Sequence, residues 1–334
     1  MGLYTELPQD VQEVDVIIAG GGTAGCIVAA RLADADPDLS VLVIEEGTNN
    51  LGNPMISKPA FCYTHALPGG QTTRLYKGIK EPNIAGREIH VHSGAILRGG
   101  SAINMMMYTR GQRSDYDAWQ TPGWSADDML HYLKKFEIYH GLGQQAYHGD
   151  DGPIHVSDGD PTSVPVGQYI AVSSFTVYPY SRGHIHISGP LLDDEPEFAS
   201  GFFSDTAGLD IKKHVWAYKA QREIIRRMAC YRAPPSPEAT RRIAYTAEDD
   251  AVLEKWLREN VNTTWHSLGT CRMGARAEMG VVDPGRGVYG VSGLKIADMS
   301  IALQNVAANT ASTAMAIGEK AADLFIRELG LAKH

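Results

Sequence analysis

The chain has 334 residues, 43% of them hydrophobic and 21% charged, enough for one large globular domain or two closely packed ones with a real core. Its 39 acidic residues against 30 basic ones give a formal charge of −9, which disfavours a nucleic-acid partner and docking on an anionic membrane. A small or neutral substrate fits better. No stretch has the apolar length to span a bilayer, and residues 1–15 are polar and acidic without a secretory pattern. An intracellular protein, cytoplasmic or peroxisomal, is therefore expected. The tripeptide Ala332-Lys333-His334 is not the peroxisomal Ser-Lys-Leu and carries little weight. Cys26, Cys62, Cys230 and Cys271 lack CxxC spacing and read as buried thiols.

In chain order, Val16 to Ala19 reads as a buried parallel strand, Ala24 to Leu32 as a helix of small residues and Val41 to Ile44 as a second strand. Between the first strand and the helix lies Gly20-Gly21-Gly22-Thr23-Ala24-Gly25. Gly20 allows the tight turn, Gly22 lets backbone approach a pyrophosphate, and Gly25 permits close packing of helix on strand. Glu45, ending the second strand, stands where an acid accepts ribose hydroxyls. Residues 51–110 are loop-rich, broken by Pro54, Pro59, Pro68 and Pro82, and contain a second glycine turn, Gly99-Gly100-Ser101-Ala102-Ile103-Asn104. Met105-Met106-Met107 follows, and on general grounds reads as adaptable core filler.

Ser125 caps a helix expected from Ala126 to about Tyr139, with Asp127 and Asp128 in its first turn. Phe175 to Gly189 reads as a strand pair, Val177 and His184 to Ile187, about the turn Tyr180 to Gly183. His184 and His186 share a strand face, as do His90 and His92, but neither pair has a matched third ligand and no metal is expected. A helix is expected over Asp210–Met228 with Val215, Tyr218, Ile224 and Ile225 on one side, then a linker at Arg232 to Pro237, then a helix capped by Thr246 and running to about Asn260. Near the end come a turn at Gly280 to Pro284, a short strand at Leu294 to Asp298, and a helix entered through Asn305 to Thr310 and running to about Leu329. The N-terminal end of that helix can face a ligand. Trp265-His266-Ser267-Leu268-Gly269-Thr270 sets one histidine in a tight glycine-bounded aromatic context suited to a base.

These segments, with Ile44-Glu45-Glu46-Gly47, Asp115-Tyr116-Asp117-Ala118-Trp119 and Val215-Trp216-Ala217-Tyr218-Lys219, resemble the glucose-methanol-choline (GMC) family of FAD-dependent oxidoreductases, and within it the fungal short-chain alcohol (methanol) oxidase branch. The matches run over residues 15–158 and 172–330. The resemblance implies an α/β fold with a Rossmann-like FAD-binding domain and a much reduced substrate domain: an N-terminal FAD-binding region at 1–158, a substrate-domain remnant with linkers at 159–245, and a C-terminal FAD-binding and catalytic region at 246–334.

It further implies that Gly20, Gly22, Thr23, Ala24, Gly25, Glu45, Gly99, Ser101, Asn104, Asp298, Asn309 and Thr310 bind the cofactor, that His266 and Asn309 are catalytic, and that Met105, Met107 and Trp265 line the substrate pocket. Ile103 stands where members with covalently attached FAD carry histidine, so non-covalent FAD is implied. The implied reaction is oxidation of a primary alcohol to an aldehyde with hydride transfer to flavin N5 and O2 as acceptor; one base suffices, without a metal. Met105 replaces the aromatic residue usual in alcohol oxidases, which implies a softer pocket and alcohols somewhat larger than methanol.

Relative to that family the chain is short. After Gly152 to Val156 it passes through Pro161 to Pro165 directly to Phe175, and a smaller loss falls at 234–242. Loss of an internal strand would leave Val16 to Ala19 and Leu294 to Ala297 with unpaired backbone and an exposed apolar face, favouring association into a homo-oligomer. Two alternatives stay open beside the alcohol oxidase: a truncated, non-catalytic nucleotide-binding remnant, and an NAD-linked dehydrogenase using the same glycine turn and Glu45.

Overall fold

A computed structural model of the chain describes residues 2–67, 69–141, 145–157, 172–191, 193–228 and 243–331. Pro68, the passage at 161–165, Cys230, the linker at 232–237, the second shortening at 234–242 and the C-terminal tripeptide lie outside the described residues. In chain order the described elements are β1 (Val16–Ala19), α1 (Thr23–Ala35), β2 (Val41–Ile44), α2 (Pro54–Ser57), β3 (Thr73–Lys77), β4 (His90–Gly94), α3 (Gly100–Ile103), α4 (Arg113–Asp117), α5 (Ala126–Lys135), β5 (Glu137–Tyr139), β6 (Ile154–Val156), β7 (His184–His186), β8 (Glu197–Ala199), α6 (Leu209–Arg227), α7 (Ala247–Asn260) and α8 (Ala311–Glu328). They fall into two units, residues 1–74, 92–158 and 266–334 in the first, 75–91 and 159–265 in the second.

In the first unit β1 and β2 run parallel with Val16 opposite Val41 and Ala19 opposite Ile44. Val28, Leu32 and Ala35 of α1 pack on Ala321, Ala322 and Ile326 of α8, with Val16 and Ile18 against the same core. The helices come close because Gly318 lacks a side chain: a Cβ there would sit 3.0 Å from the Ala24 Cα and 3.1 Å from its carbonyl oxygen. Buried Glu319 joins α8 to α1 and α5 through ion pairs to Arg31 (2.8 Å) and Lys135 (2.5 Å). Burial pushes its pKa up, but the bonds from those two cations outweigh this and hold it below the usual carboxylate value.

The larger core of this unit gathers Trp119, Trp124, Met129, Phe136, Met273, Ile301 and Ile317. Within it Arg286 is fully buried, its guanidinium 4.7 Å from the Trp124 ring centroid, and none of its three side-chain nitrogens has a hydrogen-bond partner among the described residues. Burial lowers its pKa to about 10.

The second unit is organised by α6 and α7, the antiparallel pair β7 and β8, and a core of Ile84, Ile89, Phe203, Ile211 and Leu257. The Glu81 carboxylate accepts from the Ser200 and Gly201 amides (2.8 Å each), and Asp210 accepts from the Tyr180 and Ser181 amides (3.0 and 2.8 Å), so two acids tie its loops. Among the described residues no helix is long and apolar enough to cross a membrane.

Several sequence expectations change. The Ser125 cap and its capping box with Asp128 form as read, but α5 stops at Lys135, and Glu137–Tyr139 is a strand parallel to β6. Glu137 accounts for the break: its buried carboxylate accepts from the Tyr108 hydroxyl (2.5 Å), the Gly149 amide (3.0 Å) and His148, and pairs with Arg110. No helical periodicity anticipates such a demand. His184–His186 pairs with Glu197–Ala199 rather than with a strand at Val177, which lies in irregular backbone. Instead of a strand, Leu294 to Asp298 makes one antiparallel bridge, Lys295 with Gly287. β1 is parallel as expected but not buried on both faces, since Ile17 is 61% and, on β2, Ile44 54% exposed. On α6 Val215, Tyr218 and Ile225 are half-buried on the expected side, with Ile211 buried beside them, and only Ile224 is exposed. Met106 and Met107 are exposed, which removes them from the core.

Candidate active site

Gly20 takes a positive φ of 99°, and its amide donates to the Ile44 carbonyl (2.8 Å), so the chain leaves β1 along the end of β2. Gly25 cannot carry a side chain: its Cβ would lie 2.3 Å from the Gly20 carbonyl oxygen. At Gly22 the opposite holds, with nothing within 4 Å of a built Cβ. This residue is the N-cap of α1, and neither a capping side chain nor an acid in the first turn satisfies the helix's leading amides. Thr23 and Ala24 open that first turn. An open, uncapped helix N-terminus behind a glycine turn suits a pyrophosphate.

The second glycine turn, about 75 residues later, packs directly on the first. The Arg98 amide donates to the Gly21 carbonyl (2.6 Å), the Thr23 hydroxyl donates to the Arg98 carbonyl (3.3 Å), and a Cβ on Gly99 would stand 3.0 Å from the Gly22 Cα. Both Arg98 (φ 76°) and Gly99 (φ 55°) occupy the left-handed region, at a strain cost for arginine of about 1–2 kcal/mol. Ser101, in α3, donates to the Arg98 carbonyl (2.7 Å), while the Asn104 side-chain oxygen accepts from the Met106 amide (2.8 Å). Asn104 and Met107 are exposed and Met105 half-buried.

Glu45 ties the first turn to the chain just beyond β2. Its carboxylate accepts from the Gly21 amide (2.8 Å) and the Gly47 amide (2.7 Å), which holds the acid beside the first turn. Gly47 must itself be glycine, because a Cβ would meet the Ala95 carbonyl carbon at 2.1 Å. A carboxylate beside an open helix N-terminus is a donor set fit for a dinucleotide: lone pairs for ribose hydroxyls and free amides for phosphate.

At the C-terminal side, residues 269–273 lie along the turn at 299–301 through the Gly269, Cys271 and Met273 amides, which donate to the Met299, Ser300 and Ile301 carbonyls. His266 precedes this seam and is half-buried, and burial holds its pKa below the usual imidazole value, favouring the neutral form. Asp298 starts the same turn, its carboxylate accepting from the Ser300 amide (2.8 Å). Asn309 donates from its backbone (2.7 Å) and its side-chain amide (3.3 Å) to the Thr109 hydroxyl oxygen, just before the α8 N-cap Thr310. Asp115 fixes the approach by accepting from the Ala307 amide (2.9 Å), and Tyr116 meets Thr313 of α8 (3.1 Å). All these residues belong to the first unit. Trp265 belongs to the second, has a φ of 59° and donates its amide to the Thr263 hydroxyl (2.9 Å).

Sequence reasoning did not identify Thr109 and gave Asp115 no role. A threonine between two motifs carries no spacing pattern, and only its bonds across 200 residues reveal it.

The GMC oxidoreductase profile matches residues 14–188 with its N-terminal part and 179–318 with its C-terminal part. The chain belongs to the GMC oxidoreductase family. Alcohol oxidase of Candida boidinii is 23% identical to this GMC oxidoreductase in an alignment of 635 positions that spans 96% of each protein. With 334 residues the chain fills little more than half of those positions and is internally shortened relative to that relative. Alcohol oxidase 2 of Komagataella phaffii is 38% identical over 170 residues, 51% of this chain and 26% of that protein. The solved structure of pyridoxine 4-oxidase from Mesorbium loti matches with a TM-score of 0.76 at 18% identity, over 94% of this chain and 99% of that one, which supports the mixed α/β GMC fold.

Proposed function

We propose that this GMC oxidoreductase binds FAD non-covalently and oxidises a small primary alcohol to its aldehyde, with O2 as acceptor and hydrogen peroxide as second product. The observation that carries this reading is the joining of the two glycine turns and Glu45 into one open cradle, in the same unit as a half-buried, neutral-leaning His266. Bound there, FAD would supply the hydride acceptor. Gly20, Gly22, Thr23, Ala24 and Gly25 would take its pyrophosphate with the α1 amides, Glu45 its ribose hydroxyls, and Gly99, Ser101, Asn104, Asp298 and Thr310 the remainder. Ile103 offers no side-chain nucleophile for a covalent link.

His266 accepts the hydroxyl proton at an imidazole nitrogen, which requires the neutral ring that burial favours. Asn309 donates a side-chain N–H to the alcohol oxygen and steadies the negative charge that develops as the proton leaves. Met105 and Met107 give the substrate a flexible apolar surface, and alcohols somewhat larger than methanol are the preferred class.

The test is purification of the chain with added FAD, an absorption spectrum for bound flavin, and peroxide measurement with methanol, ethanol and 1-propanol. Bound flavin, peroxide release and a loss of about 10²–10⁴-fold in kcat for His266→Ala are expected. The second reading, a nucleotide-binding remnant without catalysis, is favoured by the internal shortening and the exposed Ile17 and Ile44. A yellow protein that is inert, with His266→Ala indistinguishable, would establish it. A chain that holds NAD and no flavin would replace both with a nicotinamide-linked dehydrogenase.

A further inference from the structure

We infer that Thr109 is a positioning residue for the proposed reaction: its hydroxyl oxygen holds the side-chain amide of Asn309 in the orientation that meets substrate. The inference rests on the proposed role of Asn309. Three hydrogen bonds carry it. The Asn309 backbone amide donates to Thr109 Oγ1 at 2.7 Å, the Asn309 Nδ2 amide donates to the same oxygen at 3.3 Å, and the Ser312 hydroxyl donates to the Thr109 carbonyl at 2.7 Å.

A hydroxyl oxygen has two acceptor positions, and Asn309 fills both. The primary amide of Asn309 has two hydrogens, and Thr109 takes one of them. With backbone and side chain gripped by one atom, the amide plane loses its rotational freedom about the side-chain torsions, and the second N–H hydrogen points in a fixed direction. A donor fixed before the charge develops needs no reorganisation during reaction, which makes an otherwise mobile asparagine effective. The bond from Ser312 places the same threonine against the first turn of α8, so the helix start and the amide are set together.

Thr109→Val keeps the shape and removes the acceptor; Thr109→Ser keeps the acceptor and removes a methyl group. The first readout is hydrogen–deuterium exchange of the amides at 309–312, measured on the full chain without substrate. Valine should speed exchange of the Asn309 amide by about threefold to tenfold, the fold-change expected for one net hydrogen bond, and serine should restore it. The second is steady-state oxidation, where valine should lower kcat by about tenfold with little change in KM or flavin content, and serine should recover most of it.

Unchanged exchange in the valine variant, or a serine variant as fast-exchanging as valine, overturns the inference. So does faster exchange with unaltered kcat. If the wild-type chain holds flavin but makes no aldehyde, the catalytic reading of Asn309 falls and the positioning role falls with it, while the exchange data separately decide whether Thr109 grips Asn309.

Discussion

His266 can take a proton only while its ring is neutral, and its surroundings bias it that way. Burial disfavours the imidazolium, so its pKa in the folded chain lies below the ordinary value of 6.5. Between those two values the unfolded chain binds more protons than the folded one, so stability rises with pH through the window and falls as the solution is acidified from about pH 6.5. His214 in the second unit contributes with the same sign for the same reason. For catalysis the acid limb of kcat/KM, which reports the free enzyme, should have its midpoint below pH 6.5. Steady-state peroxide assays across pH check this, and a midpoint above 6.5 would mean that burial does not govern the ring.

Among the elements, the α1 and α8 crossing decides where the cradle sits. Gly318 lies against Ala24, two residues beyond the α1 N-cap, and its absent side chain lets the two helices share one core. Gly318→Val should force them apart, at a cost of about 1–3 kcal/mol from overpacking. Because the displaced backbone is the first turn of α1, flavin retention should fall alongside the melting temperature. Thermal denaturation together with the flavin content of the purified variant tests the coupling; a variant with lower Tm and full flavin would show that α8 does not position the cradle. The glycine turns, the caps at Ser125 and Thr246 and the course of α8 were legible in sequence because each is set by local chemistry. The end of α5 was not, since the buried Glu137 answers to Tyr108, Arg110, His148 and Gly149 rather than to its own helix.

For the molecule as a whole, the parallel pair β1 and β2 is the exposed weakness. Parallel sheets are ordinarily covered on both faces, yet here two strands stand without a third among the described residues, and Ile17 and Ile44 point outward. The expected consequence is self-association. A double Ile17→Lys, Ile44→Lys variant should shift the population toward monomer in size-exclusion chromatography with light scattering. An unchanged distribution would show that another surface governs assembly. Sequence comparison alone anticipated the unpaired strand at β1, but at Leu294 to Ala297 it named a strand where only one bridge forms. A strand needs a neighbour, and a local sequence pattern cannot supply one.

By itself the sequence determined the glycine turns and the helix caps, because each follows from what a few adjacent residues can do with their own backbone. The tertiary structure alone decided that the turns at 20–25 and 99–104 close on each other, that Thr109 and Asp115 hold the approach to α8, and that Met106 and Met107 face outward. Those contacts join residues 75 to 200 positions apart, and their partners are chosen by packing in three dimensions, which no local spacing encodes.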